Sequence, residues 1–177
     1  MGAVIRRTSI LFALFALLVP AGAHASTTTY GPAYGLGPAG GDEFNLVERD
    51  AATGEMSIIR YNPVPANGGL GCGGSGGWAT FTVAHTVGTA VDSVVVSYTS
   101  ALVDPYSFMS VSMYQNGAFI DTQVVRGPTL GEGTITLDPR TAASGDVTIM
   151  FGLQVASACP NVDIARATFS RVDVNEV

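Results

Sequence analysis

The chain has 177 residues, 14 of them acidic and 8 basic, with a formal charge of −6 at pH 7. An acidic balance of this kind argues against nucleic acid and anionic lipid as partners, because both are met by basic patches. The length and the 47% hydrophobic content suit a single domain with one core, and two cysteines with two scattered histidines do not suit a structural zinc site.

Residues 1–25 read as a secretory signal. Arg6 and Arg7 form its charged start, residues 10–19 its apolar stretch, and Ala23 and Ala25 the small residues before cleavage. The apolar stretch is too short for a membrane span. Cleavage after Ala25, the preferred site, leaves Ser26 at the amino terminus, whereas cleavage after Ala23 leaves His24 there. The mature chain is therefore expected to be secreted, extracellular, monomeric and free of the membrane. Residues 26–41 are rich in Gly, Pro and small side chains without periodicity, which predicts a flexible leader before a domain over residues 42–177.

Strand patterns follow at sandwich spacing. Residues 43–49 and 56–61 bracket Asp50-Ala51-Ala52-Thr53-Gly54 as a longer hairpin, and a Gly-rich loop follows. Further strands are expected over residues 78–84, 93–100, 133–137, 147–155 and 164–174. Val147, Ile149, Phe151, Leu153 and Val155 alternate strictly, which marks a central strand with one buried face. In the last strand Ala165, Ala167 and Phe169 share one phase of the alternation and Val172 and Val174 the other. A bulge near Ser170-Arg171 would reconcile them.

The clearest local signal spans residues 107–126. Two alternating runs flank Asn116-Gly117, the dipeptide that best takes positive φ at both centres of a type I′ turn, so a tight hairpin is expected. Its simplest register sets Tyr114 opposite Phe119, Met113 opposite Ile120, Val111 opposite Thr122 and Met109 opposite Val124. One face then carries Met109, Val111, Met113, Ile120 and Val124, and the other Phe108, Ser110, Ser112, Tyr114, Phe119, Asp121 and Gln123. With about nine strands, Gly-rich turns and no helical periodicity, the fold class is all-β: a single antiparallel β-sandwich, jelly-roll in type. Cys72 and Cys159 are expected to form one disulfide across a long loop, constraining the unfolded chain by roughly 4 to 5 kcal/mol.

Motifs for chemistry are sparse. Residues 69–74 match G-x-G-x-x-G and residues 73–77 match G-x-S-x-G, but neither is followed by the helix that phosphate binding or a nucleophile elbow needs. An amino-terminal His24 with His85 would resemble the copper brace of secreted β-sandwich copper proteins and polysaccharide monooxygenases. Glycoside hydrolysis would need two carboxylates in one cleft, for which Glu43, Glu48, Asp121 and Asp163 are candidates. No catalytic residue, metal ligand or cofactor is assigned from these.

The remaining constellation is aromatic and polar. Sugars present apolar C–H faces rimmed by hydroxyls, which aromatic platforms beside amides and carboxylates can match. Trp78 and Tyr98 are expected in the core. Phe108 and Tyr114 on the hairpin, and Tyr106 in the Asp104-Pro105-Tyr106 turn, are the expected platforms, with Asp121, Gln123, Asn161 and Asp163 as hydrogen-bonding partners.

The runs Trp78-Ala79-Thr80-Phe81-Thr82-Val83, Val94-Val95-Val96-Ser97-Tyr98, Val147-Thr148-Ile149-Met150-Phe151-Gly152 and Asn161-Val162-Asp163-Ile164-Ala165 resemble the strand succession of carbohydrate-binding modules with a galactose-binding-like jelly roll, over residues 78–174. That resemblance implies a place near ligand, or near a structural calcium, for Asn161 and Asp163. The family's acidic pair at its first strand has only a loose counterpart in Asp42-Glu43. The expectation is thus a non-catalytic domain that binds polysaccharide or a cell-surface glycan. Its rivals are an extracellular structural or protein-interaction domain and a small secreted enzyme.

Overall fold

The computed structural model describes residues 25–41, 45–60, 75–83, 90–102, 105–138, 147–155 and 165–177. Within them eleven strands, numbered in chain order, form two antiparallel sheets. Sheet I has the order β3 (Asn45–Arg49), β4 (Met56–Arg60), β11 (Ala165–Glu176), β6 (Val91–Leu102) and β9 (Thr129–Leu137). β1 (Ser26–Tyr30) pairs with the second half of β11, whose first half pairs with β4. Sheet II has the order β2 (Leu36–Gly41), β5 (Ser75–Val83), β10 (Val147–Val155), β7 (Ser107–Gln115) and β8 (Ala118–Arg126). The chain passes repeatedly from one sheet to the other, and the inner faces of both close over one core.

The all-β sandwich expected from the sequence is present, with eleven strands where about nine were expected. The two additional strands, β1 and β2, come from the segment read as a flexible leader. Thr27 and Thr29 donate from their hydroxyls to Asn175 Oδ1 (2.7 Å) and Asp173 Oδ1 (2.6 Å), so cross-strand side-chain bonds add to the backbone ladder. Pro32 opens a single 3₁₀ turn (Pro32–Gly35) that carries the chain from one sheet to the other. The glycines that suggested looseness instead allow close packing, as Gly40 does against Trp78.

Strand β10 lies at the centre of sheet II, and Val147, Ile149, Phe151, Leu153 and Val155 are all buried. Their alternation has the expected cause, a strand flanked on both sides and buried on one face. Phe151 meets Phe169 of β11 across the layers, with ring centroids 4.5 Å apart, and these rings form the middle of the core. The register of β11 against β6 shifts between Phe169 and Arg171, where the bulge was expected, so Ala165, Ala167, Phe169, Val172 and Val174 all reach the core. Tyr98 packs against the core, as expected, and its ring lies on Gly133, where a Cβ would stand 2.5 Å from the hydroxyl oxygen. The expected bridge between Cys72 and Cys159 lies outside the described residues.

The β7–β8 hairpin turns on Asn116 (φ 49°) and Gly117 (φ 79°), as their pairing requires. Gln115 faces Ala118 and Tyr114 faces Phe119, in the expected register. Beyond that point the register changes. Ile120 is an extra residue on β8, and Met113 faces Asp121, Val111 faces Gln123 and Met109 faces Val125. The bulge turns the rest of β8 over, because the side-chain period of a strand is two.

Candidate functional site

The outer face of sheet II carries alternate residues of each strand: Trp78, Thr80 and Thr82 on β5, Thr148, Met150, Gly152 and Gln154 on β10, and Phe108, Ser110, Ser112 and Tyr114 on β7. The registers place them in rows. One row runs Gly40, Trp78, Gly152, Ser110, Val124; the next runs Gly76, Gln154, Phe108, Arg126.

These two rows form a groove of about 280 Å³ with Trp78 on one wall, Phe108 on the other, Gly152 and Gly76 beneath, and Ser110 and Gln154 as its polar lining. Its cause is legible in the local sequence. Glycine inside a strand leaves a gap in the layer of side chains that otherwise covers a sheet. At Gly152 even a single carbon would crowd the floor, because a Cβ there would stand 2.7 Å from Ser110 Oγ. Both walls lean outwards from that gap. The indole of Trp78 rests on the backbone of β2, where a Cβ at Gly40 would be 3.0 Å from the ring. Phe108 lies under the guanidinium of Arg126, whose Cζ is 5.7 Å from the ring centroid.

Trp78, expected in the core, is 39% exposed and supplies the groove's larger aromatic surface. The reason is phase: Ala79, Phe81 and Val83 are buried, so Trp78, Thr80 and Thr82 face outwards. That alternation is visible in the sequence and by itself points the indole outwards. Gln154 and Arg126 were also missed. Gln154 is the one amide on a strand otherwise polar only at Thr148, and Arg126 reaches the face only through the bulge at Ile120.

Among the described residues, the expected site residues do not form one cluster. Phe108 stands in the groove, and Tyr114 shares its face but six residues further along β7, about 20 Å away at strand rise. There Tyr114 packs edge-on against Phe119 with centroids 5.8 Å apart. Tyr106 is 62% exposed in the turn before β7. Asp121 and Gln123, expected on the aromatic face, lie on the opposite side of β8, opposite the buried Met113 and Val111. Asp121 Oδ2 there accepts a hydrogen bond from the backbone N–H of Asp138 (3.3 Å). On the aromatic face Thr122 takes the place assigned to Asp121, its hydroxyl 2.8 Å from that of Ser112. Asn161 and Asp163 lie outside the described residues, as do Asp42, Glu43, His24 and His85.

Among the described residues no group of three or more His, Cys, Asp or Glu side chains stands together as a metal site. Of the carboxylates considered for glycoside hydrolysis, Glu48 lies on β3 of sheet I in an ion pair with Arg166 (3.4 Å), and Asp121 lies on β8 of sheet II. They share no cleft. What the groove offers is a binding surface: two aromatic walls, an amide that both donates and accepts, and a hydroxyl.

No family model matches the chain, and no curated protein matches it. Solved structures with a similar fold include the carbohydrate-binding module TmCBM61 in complex with β-1,4-galactotriose, at 9% identity over 77% of this chain and 86% of that chain, TM-score 0.49. A second is the C-terminal CBM6 of LamC, a marine laminarinase from Zobellia galactanivorans, at 13% identity over 84% and 98%, TM-score 0.42. A third, the Agl-KA catalytic domain, is matched at 14% identity over 85% of this chain but 28% of that one, TM-score 0.46. At these identities and TM-scores the likenesses assign the chain to no family.

Proposed function

We propose that this protein is a secreted, non-catalytic domain that binds polysaccharide in the groove between Trp78 and Phe108. The observation that carries the reading is the groove itself: two aromatic walls on either side of a glycine floor, with Gln154 and Ser110 between them. A sugar ring laid over Trp78 buries its C–H face on the indole, and its hydroxyls meet the amide of Gln154 and the hydroxyl of Ser110. The groove, about 280 Å³ and open to solvent, does not close around a ligand. It fits a few sugars of a longer chain lying across the sheet, with the rest of the polymer in solvent. Secretion follows from the signal read in residues 1–25, and a soluble monomer is the state in which the face stands open.

The test is affinity electrophoresis through gels containing soluble β-galactan, xylan, β-glucan or pectin, followed by calorimetry with any polymer that retards the protein. Trp78→Ala is expected to abolish the retardation, and Tyr114→Ala, at the other end of the strand, to keep it. Retention by none of the polymers, or retention lost with Tyr114 and not with Trp78, overturns the assignment. Concentration-dependent self-association that is lost on Phe119→Ala would favour a protein-interaction role instead, because Phe119 is 57% exposed on the same face.

A further inference from the structure

The ligand of the groove can be narrowed by charge, and this step rests on the carbohydrate reading above. The chain is acidic overall, yet among the described residues the outer face of sheet II bears no carboxylate. The described carboxylates belong to strands and turns of sheet I, save Asp121, and the bulge at Ile120 turns Asp121 to the far side of β8. The same bulge brings Arg126 onto the face. Stacked sheets lie about 10 Å apart, and at physiological salt the screening length is about 8 Å, so the negative charge of sheet I is largely screened at the groove. Among the described residues Arg126 is the one charged side chain on this face.

The Arg126 guanidinium carbon lies 5.7 Å from the Phe108 ring centroid, a cation–π contact that sets the charge beside the groove's aromatic wall. Arg126 makes no salt bridge among the described residues; those recorded belong to Arg166 and Arg171 on sheet I. It also ends the row that contains Gln154 and Phe108. From Trp78 on β5 to Arg126 on β8 is three strand spacings, about 14 Å, which an oligosaccharide stacked on the indole can cross.

We infer that the groove takes an anionic glycan, a polysaccharide built of uronic acids, with a ring carboxylate paired to the Arg126 guanidinium and a neighbouring sugar on Trp78. A carboxylate fits the two parallel N–H groups of the fork in a charge-assisted pair, and a neutral sugar offers them only uncharged hydroxyls, whose bonds are weaker. The protein then favours a uronan over the neutral polymer of the same linkage.

The experiment is calorimetry at 0.15 M salt with oligosaccharides of polygalacturonate and of β-1,4-mannuronan, each beside its carboxyl-reduced counterpart. At least one acidic form is expected to bind about three- to tenfold more tightly than its reduced form. Arg126→Gln brings the two affinities together, Arg126→Lys keeps part of the preference, and Arg171→Gln on sheet I leaves the ratio as it was. Trp78→Ala weakens both forms. Equal affinity for acidic and reduced forms, with Trp78 still required, overturns the inference and leaves the carbohydrate reading standing. A preference that survives in Arg126→Gln overturns the assignment of the residue. Absence of binding to either acidic form, while a neutral polymer still retards the protein and not Trp78→Ala, overturns the inference alone; absence of binding to these oligosaccharides and to every polymer of the gels overturns both.

Discussion

The two sheets bury similar inner faces and differ on the outside. On sheet I several outward polar groups satisfy one another: Arg171 Nε donates to Asp173 Oδ1 (2.8 Å), Asn175 Nδ2 donates to Ser93 Oγ (2.9 Å), and Ser57 and Thr168 join hydroxyls at 2.8 Å. On sheet II the corresponding surface holds Trp78, Phe108 and a strip without side chains over Gly152. A face whose donors and acceptors are already paired has little to offer a ligand, because each new hydrogen bond must replace an old one. A face with exposed aromatic surface beside an amide gains on contact. The proposed binding therefore falls to sheet II, with sheet I as its supporting layer.

The comparison can be broken or sharpened by substitution. The largest effect is expected at the shared core, where Phe169→Ala removes a ring packed against Phe151 and should cost about 3 to 5 kcal/mol of stability, read as a lowered midpoint in urea. Loss of the fold there removes binding with it, so this variant shows only that both sheets stand on one core. Next comes Trp78→Ala, which should weaken glycan binding about thirtyfold, the scale of an aromatic hot spot, with little loss of stability at a site 39% exposed. Gly152→Val should fill the floor and lower affinity by a comparable factor. It should also cost some stability, since its branched side chain meets Ser110. Unchanged affinity in this variant would show that ligand does not enter the gap.

The effects expected on sheet I are smaller. Arg171→Ala removes an exposed ion pair and should change stability by no more than about 1 kcal/mol, with no change in binding. The smallest is a pH effect at the β3–β4 turn. There Asp50 accepts backbone N–H bonds from Ala52 and Thr53, which hold its carboxyl below its ordinary value of 3.8. A lowered folded-state value means that this contribution is fully present above pH 3.8 and is lost as the pH falls towards the lowered value. Asp50→Asn should therefore flatten the acid limb of a thermal-melting profile slightly and leave neutral pH nearly unaffected.

The parts of this arrangement that were legible in the sequence share a cause. The centre of sheet II was readable from β10 because burial on one face imposes strict alternation. The β11 bulge was readable because two phases of alternation occur in one strand that must bury both. Strand β8 gave no such signal. It is an edge strand exposed on much of both sides, and with Val124 beside Val125 either phase fits its composition, so the shift at Ile120 shows only through its partners on β7. Strands β1 and β2 were hidden for a different reason. Their Thr and Gly residues have little local preference, and what orders them is the pairing of β1 with β11 and of β2 with β5. The groove combined both cases. Trp78 was expected in the core against the alternation of its own strand, and Gly152 signals an opening only once Trp78 and Ser110 are known to flank it.

The most direct test of the account is an amide and indole NMR titration of the isotope-labelled protein with an oligosaccharide of whichever polymer retards it. The account predicts saturable shifts centred on the Trp78 indole N–H, the Gly152 amide and the Gln154 side-chain amide, with the amides of β3 and β4 on sheet I unmoved. Shifts centred on sheet I, or on Tyr114 and Phe119 without Trp78, would contradict it.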